Sequence, residues 1–246
     1  MILKVGKKNF ETQNPFVSFH TLPDLWQLSN HELTTKILYM RRSKYGYLLL
    51  ALLVITGLAG TLTPTSITSK ERKLAAASFK DTRNDVINSI KGLSQVQLEF
   101  KASPDKWSVK ECVYHIAISE KNLWDLMQAG LKQPANPEKR SEIKWTDGQL
   151  IKLMEDRSNK VKTKAAFEPA NAPYKTIDEA LESFKTSRAE HIKYIRNTTE
   201  DLRNHVVQMP FGWLDCYQLC LMISSHSNRH MQQIEEVKAD PNFPTR

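Results

Sequence analysis

The sequence predicts an all-α protein: a four-helix bundle with one extra short helix, preceded by an N-terminal hydrophobic helix that serves as a signal peptide or membrane anchor. Three observations predict it. Apolar residues recur at three- and four-residue steps over several long segments. No stretch alternates apolar and polar residues for long enough to make a strand, and eight glycines in 246 residues are too few for a fold rich in tight turns. One continuous apolar run, Tyr45 to Leu62, carries no polar residue before Thr56.

That run follows Met40, Arg41, Arg42 and Lys44, so a charged region precedes a hydrophobic one, as in an export signal. Gly57 and Ala59 have the small side chains that a cleavage site requires. At about 18 residues the run also suffices for a single membrane-spanning anchor, and its positive flank stays on the cytoplasmic side. Residues 40–63 therefore read as a signal peptide or membrane anchor, and residues 64–246 as an exported, periplasmic or extracytoplasmic domain. If uncleaved, residues 45–62 hold the chain in the inner membrane. Residues 1–39 show no clean period and read as a poorly ordered extension upstream of a natural start at Met40.

The first bundle helix is expected from about Thr68 to Leu93, with Leu74, Ala77, Val86, Ile90 and Leu93 inward and Gly92 near its end. The second begins at a capping box, Ser108 with Glu111 three residues on, and runs to about Gly130. Its stripe is Val109, Cys112, Val113, Ile116, Leu123 and Met127. Residues 131–146 hold two prolines and several charges and read as a loop. The extra, more polar helix is expected from about Thr146 to Ala166. A third bundle helix opens at Thr176 with Glu179 as a second capping box and continues to about Thr198, carrying Ile177, Ala180, Leu181, Phe184, Ile192 and Ile195. The fourth is expected from about Trp213 to Lys238, ended by Pro241 and Pro244.

Charge narrows the function. The net charge of +8 is uneven: residues 1–63 hold seven Lys/Arg against three Asp/Glu, and the rest 28 against 24. The body is nearly balanced and has no basic run, which argues against nucleic acid as a partner. Three cysteines make no disulfide framework. Cys216 and Cys220 read as small buried thiols in a helical core.

The histidines carry the chemistry. His226 and His230 stand four apart on one helix face, with Cβ atoms roughly 5–6 Å apart, close enough for both rings to reach one ion. His115 lies beside the apolar stripe of the second helix, where a bundle brings facing positions together. Three imidazoles leave one coordination position open, an arrangement suited to catalysis. On spacing alone a second reading stands beside this one, in which His115 is a core histidine satisfied by Glu111 or Ser119. His191 reads as a packing or solvated residue and His205 falls in a connection. His20 and His31 precede the export signal and would not share a compartment with the site.

Three segments resemble a known family. "KWSVKECVYHIAISEKNLW" is similar to the second helix of the DinB-like (YfiT-like) four-helix bundles, in which Trp-Ser leads to a Glu and then a His four residues later. "WLDCYQLCLMISSHSNRHMQQIEEVKADPNFP" is similar to their final helix, with His-x-x-x-His followed by Gln-Ile. "GLSQVQLEFKASPDKWS" matches the connection between the first two helices. The resemblance covers about residues 69–244. It implies a divalent metal, zinc or nickel, held by His115, His226 and His230, a small-molecule substrate, and activity as a metal-dependent hydrolase or thiol-type transferase. The alternative is a non-catalytic metal- or small-ligand-binding module. A homodimer is compatible with either. "HSNRH" lacks the Glu of a His-Glu-x-x-His protease helix, so no general base is supplied next to His226.

Overall fold

The computed structural model describes residues 67–158 and 162–245. The extension at 1–39 and the export or anchor segment at 40–63 lie outside the described residues. Among the described residues no helix is long and apolar enough to cross a membrane.

Among the described residues the domain has six α-helices and one short hairpin. They are α1 (Ser69–Ile90), α2 (Gln95–Glu99), α3 (Val109–Leu131), α4 (Asp147–Glu155), α5 (Ile177–Asn197), strands β1 (Val206–Met209) and β2 (Gly212–Asp215), and α6 (Cys216–Lys238). The bundle is built from α1, α3, α5 and α6. Helices α1 and α3 each pack against both α5 and α6, so these two consecutive helices face each other diagonally. Crossing the diagonal takes chain length, which residues 91–108 and the single turn of α2 supply.

Local chemistry sets the helix ends. Thr68, Ser94, Ser108 and Thr146 each accept from the backbone N–H three residues on, and Glu71, Gln97, Glu111 and Gln149 reach back to the cap nitrogens. Thr176 makes only half of the expected box: it accepts from Glu179 N, while the Glu179 carboxylate accepts from Lys175 N instead.

Several expectations need correction. In α1 the inward face is Ala75, Ala76, Phe79, Thr82 and Val86, whereas Leu74 is 47% exposed and Ala77 is exposed. The bulk of Phe79, with no surface exposure, sets the phase of the helix. Helix α4 ends at Glu155 and not near Ala166. Leu150 is its one fully buried side chain, and the polar chain beyond it has little to bury. Short 3-10 turns at Pro137–Glu142, Ala165–Phe167 and Pro169–Asn171 occupy what was read as loop or helix.

The antiparallel hairpin was not expected. Its strands are four residues long, too short to show alternation, and Trp213 belongs to β2 and not to the last helix. The true N-cap of α6 is Asp215, which accepts from Gln218 N. Asn136 clamps the outer strand, accepting from Val206 N at 2.8 Å and donating to Val206 O at 3.0 Å. Arg203 ties α1, α4 and the α6 cap together through Glu71, Asp147 and Asp215.

The apolar core divides into two halves. One holds Phe79, Leu123, Met127, Ile195 and Leu219–Ile223; the other holds Val86, Val113, Ile116, Phe184 and Ile234. Between them a polar layer crosses all four bundle helices at Thr82, Ser119–Glu120, Arg188–His191 and Ser224–Ser227. Arg188 is its centre and has no surface exposure. Its guanidinium donates to Phe79 O and Thr82 Oγ1 of α1 and to Ile223 O and Ser227 Oγ of α6, and lies 2.9 Å from Glu120 Oε1 of α3. It also sits over the rings of Phe79 and Phe184, at 4.8 and 5.1 Å. His191 Nδ1 donates to the same Glu120 oxygen at 2.7 Å, and its ring stacks on Trp124 at 3.6 Å. Of the two sequence readings for His191, packing is the one found.

Removing one member of such a buried pair strands the other charge in a medium that cannot solvate it. Arg188→Leu is expected to cost about 3–5 kcal/mol of unfolding free energy, and adding Glu120→Leu to recover part of it. Urea denaturation of the two variants checks this, and an Arg188→Leu cost below about 1 kcal/mol, the level of an exposed pair, would contradict it.

Candidate metal centre

Helix starts decide where the three imidazoles point. The Ser108 box fixes the first turn of α3, so Cys112, Val113, Ile116 and Ala117 pack inward. His115 then lies at the edge of that stripe, facing α6. In α6 every residue from Cys216 to Ser225 is buried, which leaves no freedom to rotate the helix. His226 and His230 are carried on its next turns toward α3.

The structure brings all three together. His115 Nε2 and His230 Nε2 each lie 3.2 Å from His226 Nε2, and the candidate ligand atoms fall within 4.8 Å of one another. Two nitrogens each about 2.0–2.1 Å from one zinc ion at a tetrahedral angle stand roughly 3.3 Å apart, so the spacing suits a shared ion. Among the described residues no further His, Cys, Asp or Glu joins the group. His191 pairs with Glu120 and His205 Nδ1 donates to Asp201 O at 2.7 Å, both outside the cluster. All three cysteines are free and buried, and burial pushes the Cys112, Cys216 and Cys220 thiols upward, away from thiolate.

Hydrogen-bond partners fix the ring tautomers. His115 Nδ1 lies 2.6 Å from the carbonyl oxygen of Phe167, which can only accept. The proton of His115 therefore sits on Nδ1, and Nε2 presents a lone pair. His230 Nδ1 lies 2.9 Å from Gln233 Oε1, with the same consequence. Two lone pairs are thus aimed at His226 Nε2, which can offer at most one proton between them. A cation shared by the three nitrogens removes that mismatch. The donor set, its spacing and its tautomers all fit a divalent ion. The sequence alternative for His115, satisfaction by Glu111 or Ser119, is not what is found.

The surroundings are dry on one side. His115 and His230 are 4% and 8% exposed, while His226 keeps part of its surface open. The Trp107 indole covers His115 and His230, with centroids at 4.7 and 5.8 Å. Sequence reasoning gave no role to Trp107, Phe167 or Gln233. Trp107 and Gln233 were visible in the two family-like motifs, whereas a backbone carbonyl 52 residues from its partner leaves no sequence signal.

Burial holds the rings neutral. It pushes His115 down to about 4, and it pushes His226 and His230 well below the usual range, with neighbouring positive charge adding to the effect. In the metal-free protein these values are depressed relative to roughly 6.5 in the unfolded chain. The unfolded chain therefore binds protons that the native state refuses. The histidine contribution is complete above about pH 6.5 and is lost as pH falls from there toward about 4. Asp215, raised to about 6 by burial, acts in the opposite sense, because its native state holds a proton more tightly than the unfolded chain. A triple variant, His115→Gln, His226→Gln and His230→Gln, isolates the histidine part. Over this window the wild type is expected to lose urea stability more steeply than the variant; parallel curves would contradict the assignment.

Residues 78–234, more than half of the chain, match the DinB superfamily. YuaE, an uncharacterized protein of Bacillus subtilis (strain 168), is 27% identical over 161 residues, spanning 65% of this chain and 94% of its own. A solved structure, YfiT from Bacillus subtilis, described as "a probable metal-dependent hydrolase with an unusual four-helix bundle topology", aligns with a TM-score of 0.49 at 14% identity, over 70% of this chain and 89% of its own. On the extent of the family match, the chain belongs to the DinB superfamily.

Proposed function

We propose that this protein is a metal-dependent enzyme, a hydrolase acting on a small molecule, whose divalent zinc or nickel ion is held by His115, His226 and His230. The observation that carries the proposal is the convergence of three imidazole Nε2 atoms, two with their lone pairs fixed by partners on Nδ1, and no fourth protein ligand of the described residues among them. Structural zinc sites close all four positions with protein, whereas three ligands leave one position for water or substrate.

An ion in such a site supplies Lewis acidity and lowers the pKa of a bound water toward ~7. The chain's own residues do the remaining work. Burial keeps the rings neutral, so protons do not compete for the lone pairs near neutral pH. The Phe167 carbonyl and Gln233 orient two of the three rings. Trp107 covers the rings of His115 and His230, while His226 keeps part of its surface open to an incoming molecule.

The proposal extends to location. The charged-then-apolar segment at residues 40–63 supports export, with residues 45–62 as a membrane anchor if they are retained. Small thiols serve mainly inside the cell, so an exported site favours hydrolysis over thiol transfer.

Purified full-length protein is expected to hold about one equivalent of divalent metal after loading and desalting, as the three-ligand site implies. His115→Ala and His226→Ala should each abolish retention, and a panel of ester and amide substrates should reveal turnover that chelation removes. Unchanged metal content in both variants would refute the site. Metal retention without turnover would instead identify a non-catalytic binding module.

A further inference from the structure

Gln233 Oε1 accepts from two donors at once. One is His230 Nδ1, at 2.9 Å; the other is Arg157 Nη1, at 3.3 Å. Arg157 is itself held by Glu236, which accepts from Nε at 2.6 Å and from Nη2 at 2.7 Å. A chain of contacts thus runs from Glu236 through Arg157 and Gln233 to the ring of His230. It joins the segment after α4 to the C-terminal part of α6.

The chemistry of the link is asymmetric. A carboxamide has one accepting end and one donating end, of similar shape, so it can turn over at little steric cost. If Gln233 turned, its NH2 would face His230 Nδ1, and Nδ1 would have to accept. The ring proton would then move to Nε2, the atom that faces His115 and His226. In that state His230 has no lone pair to give to an ion. Nothing in the Gln233–His230 pair alone selects between the two arrangements, since each makes one good hydrogen bond.

Arginine breaks the tie. A guanidinium has only donors and keeps its charge at any physiological pH. With Arg157 Nη1 against it, the amide must present oxygen, because the turned form sets N–H against N–H. The bidentate contact with Glu236 keeps the guanidinium plane in place.

We propose that Arg157 is a positioning residue that locks His230 in the Nδ1-protonated tautomer by fixing the orientation of the Gln233 amide. This rests on the reading of the histidine cluster as a metal site. Arg157 touches none of the three ring nitrogens by hydrogen bond; it acts through Gln233.

The test uses the full-length chain, labelled with 15N-histidine, and reads the long-range 1H–15N pattern of His230 in the metal-free protein, assigned with a His230→Gln variant. Wild type is expected to show Nδ1–H. Arg157→Leu is expected to show Nε2–H or a mixture, and Arg157→Lys, which also offers only donors, to keep the wild-type pattern. If Arg157→Leu does not fold, Arg157→Gln carries the same test. In zinc titrations the released variants should bind about 10- to 100-fold more weakly, the range expected for loss of a hydrogen bond behind a ligating imidazole, while Arg157→Lys recovers affinity. An unchanged His230 tautomer in Arg157→Leu overturns the lock, whatever its affinity. If wild-type protein binds no zinc, the metal reading fails, and the tautomer measurement in the metal-free chain still decides the role of Arg157.

Discussion

The domain is organised around one buried cation. From α5, Arg188 reaches the backbone of α1 at Phe79 and of α6 at Ile223, the hydroxyls of Thr82 and Ser227, and the carboxylate of Glu120 on α3. Apolar packing alone tolerates a helix sliding by a turn, because one leucine substitutes for another. A guanidinium with directional donors does not. Each of the other three bundle helices must offer its acceptor at the level where Arg188 lies, or a buried donor is left unmatched. The layer is costly in desolvation, so its contribution is to specify a single arrangement more than to add net stability.

The candidate metal centre inherits that arrangement. Glu120 is five residues after His115 on α3, and Ser227 follows His226 on α6. Pinning both to one side chain fixes the register in which His115 meets His226 and His230. The loops then add the finer control. The Phe167 carbonyl reaches His115 from a 3-10 turn, and Arg157 reaches His230 through Gln233. The bundle supplies position, and the connection between α4 and α5 supplies ring orientation. Together with burial, which holds the rings neutral, these contacts prepare two lone pairs, on His115 and His230, in advance of any ligand.

Much of this was legible in the residues. Helix α3 carries a clear 3.6-residue stripe and a capping box, and the two histidines of α6 stand four apart, so the three candidate ligands emerged with these helices, although the α6 cap, Asp215, did not. Phase was harder to read where apolar residues are plentiful: in α1, Leu74 and Ala77 looked inward by spacing, but the bulk of Phe79 turned the helix to bury Ala75 and Ala76. The hairpin left no pattern in four-residue strands, and the Asn136 side chain that holds its Val206 backbone lies 70 residues away in the chain. Nothing in the sequence distinguishes Arg188 and Glu120 from surface charges of amphipathic helices; only the meeting of four helices shows that they neutralise each other. Contacts made by a backbone carbonyl, such as that of Phe167, have no residue identity and so no sequence signature.

The central claim concerns the identity of the atoms that surround the ion. X-ray absorption fine structure of the full-length protein loaded with zinc or nickel tests it most directly. The account predicts a shell of nitrogen and oxygen at about 2.0–2.1 Å with the multiple-scattering pattern of three imidazoles. A sulfur shell at about 2.3 Å, or the signature of a single imidazole, would contradict it.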